Sequence, residues 1–516
     1  RTRDMVRSTQ PASFVGRQRE VEELKRALSD TRTRGVTLFV RGKSGIGKST
    51  LLKKFLRGLG EQVFVLEGRC FEREQVPFKM LDGIVDMLTA VVVALPPPTV
   101  EGLVPKDLGA LVRLFPVMRR VKKFAELAAQ QQIPADPGEL LRRGFHALRA
   151  LLVRLARYRP LAIVVDDAHW GDSDSLAFFI ELVQQPDPAM LVIIAHRPED
   201  YLGVIARLKA PTSRRGDVRE LDLAPLSQAE ALILVSQLSS DPARASAVVA
   251  AGNGHPLVLA EMASAPPFEY SASIDDLVRA RAGRVTPEAQ AMLAVSSIAA
   301  RPLTIEIAAR AAGVYGGHDE ASQLAAERLA TIRRVDGQMI LQPAHDHVRQ
   351  AVLGSLDIES RAGWHEALAR AFEDVQGEVD LDAQSVVEHW LAAGHPANAA
   401  HHAVTAAQRA EQALAFRRAA ELYEIAIAYG PWDAAGQRDL LRRKAWALAC
   451  AGLLDEAAAV YGHAAQLLPD EESIDLQRLH IEALLRRGRL DEAVPAASAL
   501  LAHIGVRPLS KSRTRL

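Results

Sequence analysis

The chain has 516 residues, of which 63 are Lys or Arg and 63 are Asp or Glu, so its formal net charge is zero. A chain of this length exceeds one hydrophobic core, and we expect roughly three or four domains. The balanced charge excludes a global field that would attract nucleic acid or an anionic membrane surface. The chain has only two cysteines, Cys70 and Cys450. This excludes a disulfide framework and a cysteine-based zinc module.

The sequence shows no sign of a membrane or secretory segment. Its longest apolar stretch, 87–95, is about half of the ~20 residues needed to span a bilayer. The first four residues lack the apolar core of a signal peptide. We therefore expect a soluble, cytoplasmic protein without a membrane partner. Because the chain starts at Arg1 and lacks an evident terminal element before Leu516, we also expect a fragment whose output domain is missing.

In the amino-terminal half, short apolar runs alternate with amphipathic segments. Five segments are predicted strands, the first four of them as continuous apolar runs: 36–40, 63–66, 161–165, 191–195 and 218–223. Strand–helix alternation at this spacing predicts a parallel sheet covered by helices. Residues 70–137 do not fit one crossover connection, so they predict a helical insertion between the second and third strands.

The carboxyl-terminal half is dominated by helical patterns, with a brief β-like piece at 339–341. Beyond residue 361 an internal repeat is present. The segment 452–457 recurs at 488–493, an offset of 36, and 419–423 resembles 457–461, an offset of 38. Periods near the ~34 residues of a helix–turn–helix repeat predict a tetratricopeptide-like solenoid. A plain helical bundle with chance similarity is the alternative.

The first predicted strand leads into a phosphate-binding loop. The loop has the form GxxxxGKS and is followed by Thr50 in the next helix: Gly42, Lys43, Ser44, Gly45, Ile46, Gly47, Lys48 and Ser49. Its glycines let successive backbone N–H groups point at a phosphate, and the helix that begins at Lys48 adds its dipole. We expect Lys48 to bridge the β- and γ-phosphates and Ser49 to bind Mg²⁺.

Charged residues follow the third and fourth predicted strands. Asp166 is predicted to hold Mg²⁺ through water, and Asp167 to polarise an attacking water. Arg197 could sense the γ-phosphate and offset its charge. For the two aspartates, the alternative is an ordinary polar strand end that caps the helix after Ser173. For Arg197, the alternative is an exposed arginine in a turn.

With these motifs in order, the sequence resembles the STAND class of signal-transducing P-loop ATPases, a branch of the AAA+ fold. More narrowly, it is similar to the origin-recognition-like ATPase module of large bacterial regulators. The phrase FVGRQRE at 14–20 matches the family signature hhGRE, with Gln in place of the usual Glu. The resemblance assigns Val15, Gly16 and Arg17 to nucleotide binding, and Arg197 falls where the family has its sensor arginine.

Two further matches lie downstream. Gly254-His255-Pro256 resembles the GxP motif, whose proline packs against adenine. His345-Asp346 resembles the MHD motif of a winged-helix domain, although Ala344 replaces the methionine. In that family the histidine reaches the β-phosphate of ADP and locks a closed state. The segment 387–394 looks like the linker to helical repeats in kinase-, cyclase- or LuxR-linked relatives.

The resemblance implies a multidomain chain, with an α/β P-loop NTPase domain of the AAA+ type and a parallel sheet. An all-α winged-helix region and an α-solenoid of tetratricopeptide-like repeats would follow. The predicted boundaries are a linker at 1–13, an ATPase domain at 14–225 with its insertion at 70–137, a small helical subdomain at 226–270, a winged-helix-like domain at 271–360 and repeats at 361–516.

The resemblance implies ATP or ADP and Mg²⁺ as cofactors, and a slowly ATP-hydrolysing regulatory switch in signal transduction. The repeats would receive a protein or small-molecule signal, and exchange of ADP for ATP would open a closed monomer and permit homo-oligomerisation. DNA would be bound only through a missing effector domain. Two alternatives remain: a DNA-handling AAA+ ATPase of the replication-initiator type, and a repeat scaffold that nucleotide merely stabilises.

Overall fold

The apolar runs of the amino-terminal half assemble into one parallel sheet. The structure is a computed structural model that describes residues 14–70, 78–184, 190–199, 203–210, 217–238, 241–264, 274–335, 337–380, 382–467 and 470–506. The predicted linker at 1–13 lies outside these ranges. The sheet strands are β1 Val36–Arg41, β2 Phe64–Arg69, β3 Leu161–Asp166, β4 Met190–His196 and β5 Asp217–Asp222. All five predicted strands are therefore confirmed.

The sheet has the order β2-β3-β4-β1-β5, and every neighbouring pair is parallel. Helices cover both faces: α1 Gln18–Asp30, α2 Lys48–Arg57, α3 Lys79–Ala94, α4 Pro97–Leu103, α5 Leu108–Leu114, α6 Lys122–Ala128, α7 Pro137–Tyr158, α8 Ser173–Gln184 and α9 Val204–Lys209. In β3, Ile163 and Val165 pack into the core beneath α3 and α7, whereas Val164 packs into the core beneath α1 and α2. Burial on both faces explains the continuous apolar runs. Helices α3 to α6 lie between β2 and β3, within the range 70–137 of the predicted helical insertion.

The middle of the chain forms a group of three helices, followed by the region predicted as a winged helix, which contains both helices and strands. Its elements are α10 Gln228–Leu238, α11 Pro242–Gly252, α12 Pro256–Ser264, α13 Ile274–Ala282, α14 Pro287–Ala299, β6 Leu303–Thr304, α15 Ile305–Ala312, α16 His318–Ala326, β7 Ala330–Val335, β8 Gln338–Pro343 and α17 Asp346–Ser355. Helices α10, α11 and α12 share a small core. The prediction of an all-α winged-helix region needs correction, because β6, β8 and β7 form an antiparallel sheet. Most side chains of β7 and β8 are at least partly exposed, so the sequence showed only the apolar piece at 339–341.

The remaining chain is a stack of helices in which each packs on the next. They are α18 Ile358–Asp380, α19 Ala383–Ala392, α20 Pro396–Gln412, α21 Phe416–Tyr429, α22 Ala434–Cys450, α23 Leu454–Gln466, α24 Asp470–Arg487 and α25 Leu490–His503. The repeated segments fall on equivalent turns, where Gly452 and Gly488 have φ of 78° and 85°. Glycine adopts this left-handed conformation without steric cost. Within the described ranges no helix is long and apolar enough to cross a bilayer.

The helical stack folds back onto the domain that contains the parallel sheet. Leu414 and Phe416 are buried in the same core as α7 and α8. The carboxylate of Asp174 in α8 accepts hydrogen bonds from the backbone N–H groups of Arg417 and Arg418, at 3.0 and 3.2 Å. Burial, together with the nearby charge of Asp172, raises the pKa of Asp174 to about 7. A carboxylate thus caps the first turn of α21 across the interface between the two domains.

Candidate nucleotide-binding site

The phosphate-binding loop connects β1 to α2 at the carboxyl edge of the sheet. Gly45 and Gly47 have φ of 70° and 100°, a conformation that side-chain-bearing residues rarely adopt. Helix α2 begins at Lys48, so its first N–H groups and its dipole are directed at the loop. This edge of a parallel sheet, where strand order reverses, is where ligands bind in open α/β folds.

Lys48 is buried, with a side chain 6% exposed. Its Nζ donates hydrogen bonds to the carbonyl oxygens of Gly42 and Lys43, at 2.8 and 3.1 Å. Burial lowers the pKa of Lys48, and the nearby positive charge of Arg197 acts in the same direction, whereas the charges of Asp167 and Asp166 oppose the shift. The ammonium group is therefore held inside the loop, beside the position that a phosphate would occupy.

Ser49 and Asp166 form the predicted metal pair. The Ser49 hydroxyl donates to Oδ2 of Asp166 at 2.6 Å. Burial and the neighbouring charge of Asp167 raise the pKa of Asp166 above its usual value, although the Ser49 hydrogen bond opposes this. A hydroxyl and a carboxylate oxygen are hard ligands that suit Mg²⁺, and a divalent cation would relieve the repulsion between the two aspartates. The residues present therefore fit the implied ion.

Asp167 lies just beyond β3 in a left-handed conformation, with φ of 53°. Its Oδ2 is 3.2 Å from Nη2 of Arg69, the last residue of β2. Sequence reasoning missed Arg69. The predicted strand at 63–66 stopped short of it, whereas β2 continues to Arg69 and its parallel pairing with β3 places Arg69 beside Asp166 in register.

Arg197 follows β4 and contacts the winged-helix region rather than solvent. Its Nη1 donates to Oδ2 of Asp346 at 2.8 Å, and Asp346 also accepts a hydrogen bond from Ser44 of the loop. Burial alone would raise the pKa of Asp346, but the charges of Arg197 and Arg349 outweigh it and hold the pKa below its usual value. Asp346 is therefore a carboxylate that contacts both the sensor-position arginine and the phosphate-binding loop.

Arg17 has φ of 63° and is 7% exposed. Its guanidinium donates to the carbonyl oxygens of Ile46 and Ala224, and its backbone N–H donates to Glu230 at 3.3 Å. It therefore ties the loop to the end of the sheet and to α10. Neighbouring Gly16 is covered by the same Glu230 side chain, which an added Cβ would overlap.

Residues of the GxP and MHD motifs, His255 and Asp346, both contact Ser44 of the phosphate-binding loop. His255 Nε2 lies 2.8 Å from the carbonyl oxygen of Ser44, and Pro256 begins α12. His345 Nδ1 accepts from the backbone N–H of Val348, which leaves the proton on Nε2. That Nε2 lies 3.6 Å from Glu261 of α12.

These groups surround a cavity of about 370 Å³. The sequence-predicted residues that line it are Val15, Arg17, Ser44, Gly45, Ile46, Gly47, Lys48, Ser49, Thr50, Asp167, Arg197, Pro256 and His345. The predicted residues that do not line it are Gly16, Gly42, Lys43 and Asp166. The residues that sequence reasoning did not assign to the site are Phe14, Arg69, Leu226, Leu234, Leu257, Ala260 and Asp346. The cavity thus has a charged end at the loop and an apolar end near α10 and α12.

Comparison with known proteins agrees with this geometry. Residues 13–194 match the family model described as AAA ATPase domain. The matched segment includes the phosphate-binding loop, the Ser49–Asp166 pair and most of β4. The chain therefore contains an AAA ATPase domain, which implies ATP binding. No curated protein matches the chain.

Several solved structures are similar to the chain at low identity. One is a signal transduction ATPase with numerous domains (STAND) protein with a tetratricopeptide repeat sensor from Pyrococcus horikoshii, at 14% identity and a TM-score of 0.48, covering 97% of this chain and 75% of that one. A Walker-type ATPase of Pyrococcus abyssi has 14% identity and a TM-score of 0.35, covering 68% and 99%. The ORC1 protein of Aeropyrum pernix, solved in complex with DNA, has 14% identity and a TM-score of 0.30, covering 67% and 94%.

Proposed function

We propose that the chain is a STAND-type regulatory switch that binds ATP or ADP with Mg²⁺ and hydrolyses ATP slowly. Its helical repeats would receive a protein or small-molecule signal. The observation that carries this proposal is the composition of the cavity wall. Three of the parts of the chain that line it are the phosphate-binding loop, α12 with Pro256, and the start of α17 with His345 and Asp346. A nucleotide held by all three would stabilise the closed arrangement over any open one.

The charged end of the cavity has the groups that phosphoryl transfer requires. Lys48 and the N–H groups of the loop would hold the phosphates, and Ser49 with Asp166 would hold Mg²⁺, which offsets negative charge on the phosphate oxygens. Asp167 would orient and deprotonate the attacking water, and Arg197 would contact the γ-phosphate. The apolar end, with Pro256, would receive the base.

The closed arrangement keeps two of these groups away from catalysis. Arg197 is paired with Asp346, and Asp167 is paired with Arg69. Both pairs would have to rearrange before the arginine could contact a γ-phosphate and the carboxylate could activate water. Slow turnover is the expected consequence of this competition.

His345 has a proton available for a diphosphate. Because its Nδ1 accepts a hydrogen bond at the start of α17, its Nε2–H is free to donate toward either Glu261 or a β-phosphate. Release of ADP and binding of ATP would then weaken the contact between the ATPase domain and the winged-helix region. A signal on the repeats that favours opening would permit homo-oligomerisation.

The test of nucleotide binding compares Lys48→Ala with Lys53→Ala, an exposed lysine on the same helix. Titration with fluorescent ATP and ADP analogues should show that Lys48→Ala loses measurable binding, because its ammonium is the charge buried beside the phosphate position. Lys53→Ala should bind as the wild type does. Unchanged affinity in a folded Lys48→Ala variant would refute the proposed site.

A further inference from the structure

A second cavity lies between the ATPase domain and the helical stack. Its volume is about 660 Å³, and its walls come from α7 and α8 on one side and from α22, α23 and α24 on the other. Small-molecule sites in proteins typically have volumes of roughly 300–1,000 Å³. None of the residues around the nucleotide cavity lines this second one.

The cavity is bordered by close contacts. A Cβ added to Gly138 in α7 would lie 3.0 Å from the Cα and the carbonyl oxygen of Cys450 at the end of α22. At the same corner, Arg486 of α24 lies 3.6 Å from Asp136, which caps α7. The cavity therefore lies beside a close contact between the two domains, and it opens to solvent at Ala177 and Trp446, so a small molecule could enter it.

The chemistry of the walls favours an uncharged occupant. Phe145 and Leu141 on α7 face the cavity together with Trp446 and Leu479 of the repeats. At the mouth, the positive charge of Arg486 lies between the carboxylates of Asp136 and Glu482, at 3.6 and 3.9 Å. The second arginine of the lining, Arg142, is paired with Glu139.

Two further ionisable groups of the wall, a thiol and a phenol, carry no charge. Burial, reinforced by the negative charge of Asp136, raises the pKa of Cys450 to about 12. Burial also raises the pKa of Tyr461 to about 12. The thiol and the phenol therefore stay protonated at neutral pH, and the thiol is a poor nucleophile. The wall offers apolar and aromatic surface and weak hydrogen-bonding groups, with no uncompensated charge for an ionic ligand.

We propose that this cavity binds a neutral, largely apolar small molecule that contains a ring system and lies between Phe145 and Trp446. The ligand would contact the ATPase domain and the repeats at once, so its binding would change how firmly the two are docked. Helix α7 leads through two residues into β3, and β3 ends at Asp166 in the nucleotide site. The role of this ligand as the signal rests on the proposed function, whereas the binding of the ligand to the cavity does not.

The test uses N-phenylnaphthylamine, a neutral fluorescent probe, on the full chain. We expect saturable binding with one site per chain. Ala177→Trp and Ala449→Trp each place an indole in the cavity from opposite walls, and each should weaken binding about tenfold or more, equivalent to about 1.4 kcal/mol. Because Ala177 is exposed and Ala449 is half-buried, we expect the first variant to fold even if the second does not, and circular dichroism checks both. Ala459→Trp, at an exposed position of α23 outside the lining, should bind as the wild type does.

Three results would overturn the proposal. They are absence of saturable binding, unchanged affinity in Ala177→Trp, and equally tight binding of the anionic analogue anilinonaphthalene sulfonate at the same site. The Lys48→Ala variant separates this proposal from the nucleotide switch, since it should bind the probe normally while losing nucleotide.

Discussion

The guanidinium of Arg197 donates a 2.8 Å hydrogen bond to the carboxylate of Asp346, which lies 149 positions later in the chain. Arg197 follows β4 of the ATPase domain, and Asp346 begins α17 of the winged-helix region. The two side chains are 14% and 19% exposed, so solvent and salt screen the pair less than they screen an ion pair on the surface. In the proposed switch, the arginine that we expect to sense a γ-phosphate therefore also holds the start of α17 against the ATPase domain.

Loss of the charge at Asp346 should loosen that closure. In Asp346→Asn the attraction for Arg197 is weakened while side-chain shape is kept, so we expect bound ADP to dissociate about tenfold faster, a change of about 1.4 kcal/mol. Stopped-flow release of a fluorescent ADP analogue measures this. Asp319→Asn, an exposed acidic residue in the first turn of α16, is the control and should release ADP at the wild-type rate. Equal rates in the two variants would show that the pair does not retain nucleotide.

Asp167→Asn should separate binding from hydrolysis. The amide keeps the size of the side chain but cannot accept a proton from water, so we expect near wild-type ATP affinity with hydrolysis slowed on the order of a hundredfold. Phosphate release under single-turnover conditions measures the step. Asp222→Asn alters an exposed carboxylate at the same edge of the sheet and should hydrolyse normally. Wild-type turnover in Asp167→Asn would assign the catalytic carboxylate elsewhere.

Docking of the repeats should depend on pH through Asp174. Its pKa in the folded protein is about 7, above the ordinary 3.8, because burial and the charges of Asp172 and Glu421 outweigh the N–H groups of Arg417 and Arg418. The folded state therefore binds more protons than the unfolded state between these values. The stabilisation that the folded state gains from the protonated Asp174 is fully present below about pH 4 and is lost as pH rises through about 7.

Asp174→Asn should remove that dependence. We expect the wild type to lose roughly 1–3 kcal/mol more than the variant in unfolding free energy between pH 4 and pH 8. Urea denaturation at several pH values measures both proteins, and the difference between them cancels the other titrating groups. Parallel pH profiles would contradict the assignment.

Gly138 should be intolerant of a side chain because it lies against the repeats. In Gly138→Ala the new Cβ would approach backbone atoms of Cys450, which cannot rotate away. We expect a loss of roughly 1–2 kcal/mol and faster amide exchange in α22. Gly102→Ala is the matched control, since a Cβ in that helix of the same domain meets no atom within 4 Å and should be neutral or stabilising. Similar behaviour of the two variants would show that this contact does not limit docking.

The elements that sequence reasoning placed well are those with a strong local signal. Continuous apolar runs identified the five strands, and the glycine pattern with Lys48 and Ser49 identified the loop, because phosphate binding needs those residue types in that order. Asp166 followed from its position at the end of an apolar strand. The turns at Gly452 and Gly488 were visible as a repeat because a left-handed turn favours glycine.

The features that were missed depend on long-range contacts. Leu414 occupies the left-handed turn that glycine takes at the next two equivalent positions, with φ of 62°, because its side chain is buried against the ATPase domain. Arg69 and Asp174 look like ordinary surface charges until the sheet register and the returning helices supply their partners. The small antiparallel sheet was hidden because β7 and β8 carry mostly exposed side chains.

Small-angle X-ray scattering of the full chain with ADP, and with a non-hydrolysable ATP analogue and Mg²⁺, tests the central claim most directly. If ADP is held jointly by the loop, α12 and His345, the ADP complex should be compact and monomeric. The ATP-analogue complex should show a larger radius of gyration, and this difference should shrink in Asp346→Asn. Superimposable scattering curves for the two wild-type complexes, at saturating nucleotide, would contradict a nucleotide-controlled closure.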